Sequence, residues 1–266
     1  MTKSRHCCIF LIFMLSVINS YAQQKVTSLA KAFYKFSYII DTTKRNEPIQ
    51  REMVLYMGKN ASLLRNSLDE ESKPLLYVSK GGSMATFDIL EESASLIQIE
   101  GKTHRVERLI DNMYVISEKQ LEINWKLEND TKMINGFRAQ KATANIYGRH
   151  YTVWFTHEIP FQFGPWKLCG LPGLILDAED NRGDVIFKFD RFQMINKDEV
   201  AKIAVPKSFK IKKVRYKDFE NIYKAYYDDP AAFLKASLGI TDDKSVVNGN
   251  KSSKERKYNN PIEVHE

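Results

Sequence analysis

Residues 161–189 read FQFGPWKLCGLPGLILDAEDNRGDVIFKF, and this stretch decides what can be built around it. Leu171-Pro172-Gly173-Leu174 predicts a type II turn, with proline presetting φ near −65° and glycine supplying a positive φ after it. Leu174-Ile175-Leu176 opens an apolar strand. Glu179-Asp180-Asn181-Arg182-Gly183 reverses the chain, and Asp184 to Asp190 returns with Val185, Phe187 and Phe189 on one face. A stiff apolar corner feeding a hairpin is an architectural signal and carries no catalytic signature.

The corner also carries a resemblance. Gly170-Leu171-Pro172-Gly173-Leu174-Ile175 resembles the signature hexapeptide of the GLPGLI family of exported bacterial proteins. Its flanks are similar as well: Trp154-Phe155-Thr156, Ile159-Pro160 and Gly164-Pro165 before it, and further upstream Ile134-Asn135-Gly136-Phe137-Arg138-Ala139, Lys141-Ala142 and Gly148-Arg149. The closing Asn260-Pro261-Ile262-Glu263 resembles that family's C-terminus, and Cys169 departs from its pattern. The resemblance implies an envelope protein and assigns no catalytic residue.

MTKSRHCCIFLIFMLSVINSYAQQ has the layout of a secretory signal: Lys3 and Arg5, an apolar run from Ile9 to Ile18, and Ser20-Tyr21-Ala22 as a cleavage site after Ala22. The run is shorter than the roughly 20 residues that span a bilayer. Cys7 and Cys8 precede it, whereas an acylated cysteine would follow it. The mature chain would have 244 residues, and its formal net charge falls from +7 to +5. That charge is too small to argue for nucleic acid. Only Cys169 survives processing, so the fold must be held by burial without an internal disulfide.

Alternation of apolar and polar residues runs through the chain. Ala32 to Asp41 places Tyr34, Phe36, Tyr38 and Ile40 on one face, and Leu121 to Glu128 is the most regular strand pattern. Strands are also predicted over 49–57, 61–66, 95–99, 104–110, 113–117, 132–144 and 150–156. Ser67 to Leu90 is irregular, and Met84 to Glu92 reads as a short helix. Asn129-Asp130-Thr131 predicts a turn, and Asn135-Gly136 a kink or bulge in preference to a hairpin, because apolar spacing continues on both sides. Lys207 to Lys217, with six basic residues among eleven, reads as an edge strand guarded by lysines or as a contact for an anionic partner. Asp218 to Tyr227 predicts a helix, and Asp229-Pro230 caps a second one.

These patterns predict a mainly β fold with minor α: a large curved antiparallel sheet or half-barrel, with one or two helices near the C-terminus. The expected division is a signal peptide over 1–22, one β-rich domain over 23–240 and a polar, largely disordered tail over 241–266.

Candidate chemistry is sparse. Cys169 with His157 or His150 is the only nucleophile–base combination, and it would make a thiol-dependent hydrolase. Asp177, Glu179, Asp180 and Asp184 crowd one hairpin end, as a calcium site or a solvated turn. Met53 and Met57 share a strand face, as core filling or a soft-metal site. Neither a zinc-ligand spacing nor a phosphate loop appears, so no metal and no cofactor is expected. Aromatic strands favour a concave apolar sheet face, and Trp125, Trp154, Phe161, Phe163 and Trp166 are the expected lining. The expected role is non-catalytic: holding an apolar ligand or docking on an outer-membrane receptor, in the periplasm or outer cell envelope.

Overall fold

The computed structural model describes residues 26–67, 95–109, 112–196, 202–205, 211–238 and 257–264. The signal segment, the irregular region with the helix expected over 84–92, Lys207 to Lys210 and residues 241–256 of the tail lie outside the described residues.

Fourteen strands are described: β1 (Val26–Thr27), β2 (Ala30–Tyr38), β3 (Ile49–Met57), β4 (Ala61–Asn66), β5 (Ser95–Ile99), β6 (Lys102–Leu109), β7 (Asn112–Lys119), β8 (Lys126–Ile134), β9 (Phe137–Ile146), β10 (Arg149–Thr156), β11 (Leu174–Asp180), β12 (Val185–Met194), β13 (Lys202–Ile203) and β14 (Ile211–Lys213). Helices α1 (Tyr216–Asp228) and α2 (Pro230–Leu238) follow. Twelve strands form one open sheet in the order β14-β7-β6-β5-β4-β3-β2-β12-β11-β10-β9-β8. Two meanders, β2–β7 and β8–β12, thus meet at a seam where the first strand of one pairs with the last strand of the other. Every pairing is antiparallel except that of β14 with β7. The expected fold class is what the chain adopts.

The seam is aromatic. Phe36 stacks on Phe187 with ring centroids 4.6 Å apart, and Tyr34 meets Phe189 edge-on at 6.0 Å. The inner face carries one continuous core drawing on β2–β5, β8–β12, the last turn of α1 and Ile262 near the C-terminus. The other face of β3–β7 is buried too, under Val26, Ile203 and their neighbours on the small β1–β13 ribbon. That explains why β3 reads as an apolar run over Val54–Met57 instead of alternating. α1 packs Phe219 against Tyr114 and Ile116 of β7. At one edge of the sheet, β14 exposes Lys212 and Lys213; at the other, β8 is polar along most of its length. Both are the edge protection that lysines and carboxylates supply.

Four local expectations change. Asn135 and Gly136 have φ of 45° and 92°, so they form a two-residue hairpin between β8 and β9, with Ile134 opposite Phe137. Asn-Gly takes the positive φ pair that a tight hairpin needs, and this outweighs the spacing that suggested a kink. Asn129-Asp130-Thr131 lies inside β8, at the register shift between Leu127 and Thr131, as a bulge and not a turn. Leu121, Ile123 and Trp125 do keep alternate burial, but 121–125 is not strand: the segment packs on the core, and pairing begins at Lys126. The predicted type II turn is also absent. Gly173 N bonds to Leu171 O at 2.8 Å, Leu174 N bonds to Ile159 O at 3.1 Å, and Gly173 has φ 148°. Glycine is needed there for space: a Cβ would stand 1.9 Å from the carbonyl oxygen of Thr156.

The two helices expected near the C-terminus form as α1 and α2. Ala232 N bonds to Asp229 Oδ1 at 3.0 Å, so Asp229 caps α2 with Pro230 in its first turn.

The chain's last residues differ from the expected tail. Residues 257–264 form a strap across the sheet, with Asn260, Ile262 and Glu263 buried. Arg149, fully buried, donates to Asn260 Oδ1 at 2.7 Å, Pro261 O at 2.6 Å and Ile262 O at 3.1 Å. Its remaining charge is met by Asp180 at 2.6 Å and Asp184 at 3.7 Å. Asn260 Nδ2 donates to Ile39 O at 2.6 Å, and the Tyr38 hydroxyl donates to Asn260 O. Asp41 accepts from Lys257 N, Thr43 and Asn259. Burial alone would raise the Asp41 carboxyl, but these donors outweigh it and hold it at about 2.

Two expected outcomes follow. Gly173→Ala should cost roughly 3 kcal/mol or more, because the Cβ clash cannot relax without moving Thr156, and thermal unfolding should show a midpoint about 2–4 °C lower per kcal/mol lost. Asp41 has its folded value depressed, so its stabilising contribution is present in full above its unfolded value near 4 and fades as pH falls toward about 2. Denaturant titrations of wild type and Asp41→Asn should therefore differ at pH 6 and converge as the pH approaches 2.

Candidate functional site

The inner face of the sheet opens into a cleft of about 130 Å³. Its floor is Phe36 and Tyr38 of β2, Ile49, Arg51 and Met53 of β3, Leu64 and Asn66 of β4, Ser95 and Leu96 of β5, and Phe187 of β12. Arg105 and Glu107 of β6 stand at one side. Three side chains from elsewhere complete the wall: Trp166 from the loop before β11, Tyr223 from α1 and Ile262 from the strap. The volume is that of roughly four waters in the liquid.

Trp166 is held in place at a conformational cost. Its φ is 58°, a left-handed backbone that bulky residues seldom adopt. The loop around it is closed on itself by Gly170 N to Gln162 O at 3.2 Å and tied to β11 by Ile175 N to Phe163 O at 3.0 Å. Leu168 and Leu171 are buried beneath it. Lys167, next in sequence, turns inward and is almost wholly buried. Its ammonium meets Glu118, sits 2.7 Å from Glu263 of the strap, and lies 4.5 Å from the centre of the Tyr147 ring. The hexapeptide loop, the strap and β7 are therefore locked together by one buried charge with two carboxylates.

Arg105 is a buried charge that lines the cleft itself. Its Nε donates to Glu107 at 2.6 Å, and its guanidinium lies between the rings of Trp166, 5.4 Å away, and Phe219, 5.2 Å away. Burial alone would lower its basicity, but Glu107 and then Glu263 raise it, so the group stays charged.

The expected site residues do not converge. Trp166 lines the cleft. Trp125 instead buttresses the loop from behind, donating Nε1 to Cys169 O at 2.9 Å. Trp154 belongs to a separate polar groove with Asp177, Glu179 and Lys188, and Lys132 Nζ lies 4.3 Å from its ring centre. Phe161 packs near Phe192 at 6.4 Å, and Phe163 pairs through its backbone with Cys169. Of the motif, Leu171, Leu174 and Ile175 are core residues, Gly170 and Gly173 have positive φ, and Pro172 leads into Gly173.

The acidic hairpin is neither solvated nor a metal cage. Asp180 and Asp184 are buried against Arg149, Asp180 also accepts from Asp184 N and Val185 N, and Asp177 Oδ1 accepts from Phe189 N. Among the described residues, no group of three or more His, Cys, Asp and Glu is disposed to hold a metal ion. Met57 fills the core and Met53 lines the cleft.

Cys169 is buried beside Gln120, whose Nε2 lies 3.1 Å from Sγ, while His157 is exposed with its ring edge-on to Phe155, and His150 bonds to Asn145. Burial raises the thiol above its ordinary range, against a lowering by the Gln120 and Gln98 amides. A thiol-reactive probe at neutral pH should label Cys169 slowly in the native protein and at the rate of a free thiol once guanidinium unfolds it. Fast native labelling would restore the nucleophile.

A family model described as the N-glycanase peptide, N-terminal domain, matches residues 85–218, just over half of the chain. No curated protein matches the sequence. Two structures of PNGF-II, in different space groups, share 14% identity over 74% of this chain and 32% of their own, with TM-scores of 0.50 and 0.49. An uncharacterized conserved protein from Thermus thermophilus shares 11% over 70% of this chain and 91% of its own, with a TM-score of 0.39. The chain spans about a third of the length of PNGF-II, and at these identities the likeness is one of fold. The chain belongs to the family of the N-glycanase peptide, N-terminal domain.

Proposed function

We propose that this chain is a non-catalytic binding module of the cell envelope, and that its cleft holds a small molecule with an apolar body. The observation that carries the reading is the cleft itself. Aromatic and aliphatic side chains from five strands line it, and its wall is completed by Trp166 on a left-handed backbone. Strain of that kind is tolerated where surroundings enforce it, and often marks a site that must be shaped in advance. Arg105 and Glu107 beside the cleft pair with each other at 2.6 Å, as suits a binding wall more than an acid or a base.

The N-glycanase activity named for the family is not carried to this chain, which matches about a third of PNGF-II. The cleft's size narrows the ligand from a whole lipid to a short chain or a single ring. Export rests on the signal layout of residues 1–22, and the GLPGLI reading rests on a hexapeptide that folds as the loop carrying Trp166. Among the described residues, no helix is long and apolar enough to cross a membrane.

Organic extraction of the purified protein followed by mass spectrometry tests the reading. A small apolar molecule should be released in near-stoichiometric amount from wild type and not from Ser95→Trp, which fills the cleft from its floor. Equal amounts from both, or none from wild type together with no thermal shift on adding short-chain alcohols, would contradict it.

A further inference from the structure

We propose that the cleft's ligand is an acid, whose carboxylate is taken by the terminal nitrogens of Arg105 while its apolar part lies on the floor. This rests on the reading of the cleft as a binding site. A guanidinium has five N–H donors. Arg105 uses only Nε, toward Glu107, and makes no other protein hydrogen bond among the described residues. Its terminal nitrogens stand at the side of the cleft with no hydrogen-bond acceptor among the described residues, although the side chain is only 11% exposed.

The geometry favours one orientation. The guanidinium carbon lies over the Trp166 ring at 5.4 Å and over the Phe219 ring at 5.2 Å, which fixes the group at the side of the cleft. Glu107 occupies the Nε edge, and the other edge presents the parallel donors that a carboxylate accepts in bidentate fashion. Beyond the charged side the lining is Phe36, Ile40, Ile49, Leu64, Leu96 and Phe187. That surface suits a short hydrocarbon and offers little to a polyhydroxylated ring.

Hexanoate and 1-hexanol separate this inference from the reading beneath it, because they share a hydrocarbon and differ in the head group. By calorimetry on the full chain, hexanoate should bind wild type at least about tenfold more tightly than 1-hexanol, as a charge-assisted hydrogen bond predicts. Arg105→Met should remove that preference, bringing the affinities for hexanoate and 1-hexanol to within about twofold of each other. Arg105→Lys, which keeps the charge but not the fork, should retain part of the preference. Equal affinity of wild type for the two compounds would overturn the carboxylate assignment and leave the apolar cleft standing. Absence of binding by both would overturn the cleft reading together with it. The wild-type comparison decides the matter even if Arg105→Met does not fold.

Discussion

A guanidinium with no solvent around it governs this structure. Arg149 sits inside the protein, where an unpaired charge is prohibitive, and every partner it has comes from one of two places. The β11–β12 hairpin supplies the aspartates, and the C-terminal strap supplies two carbonyls and an amide oxygen. Neither source suffices alone. The strap must therefore lie where Arg149 puts it, and that position brings Ile262 to the cleft and Glu263 to Lys167. With no disulfide among the described residues, the fold thus ties the strap to a strand more than a hundred residues earlier.

The sheet explains why such a tie is needed. Two meanders share a single aromatic seam, and the strands at either end are paired on one side only. Twelve open strands need something to hold their inner face against water. The strap and α1 do this together: Tyr258 stacks on Tyr227 at 5.8 Å and meets Tyr223 at 5.0 Å. The cleft is what this closure leaves between the seam and β6, and its charged side is where the inner face stops being apolar.

Much of this was legible in the sequence, for physical reasons that also mark the limit. Alternation gave the aromatic face of β2 and the returning face of β12, since burial on one side of a strand imposes period two. Asp229-Pro230 gave the start of α2, because the cap is chosen locally. Pro172-Gly173 marked the right corner and the positive φ of Gly173, but not the type of turn or the second need for glycine: it makes room for a carbonyl from β10, a contact between distant residues that local turn rules do not contain. Asp180 and Asp184 looked solvated because their partner, Arg149, is remote in sequence. Arg105 and Glu107 were missed for the same cause. Their one trace is a strand face that carries Arg, Glu and then Leu109, charged and apolar together, which signals a buried pair instead of a wet surface.

Hydrogen exchange read by mass spectrometry over residues 257–264, in the intact protein, tests the central claim most directly. If Arg149 holds the strap, these amides should exchange as slowly as those of β2, and Arg149→Met should release them while the β2–β12 seam stays protected. Exchange of the strap at the rate of a free peptide in wild type, with the sheet protected, would contradict the account.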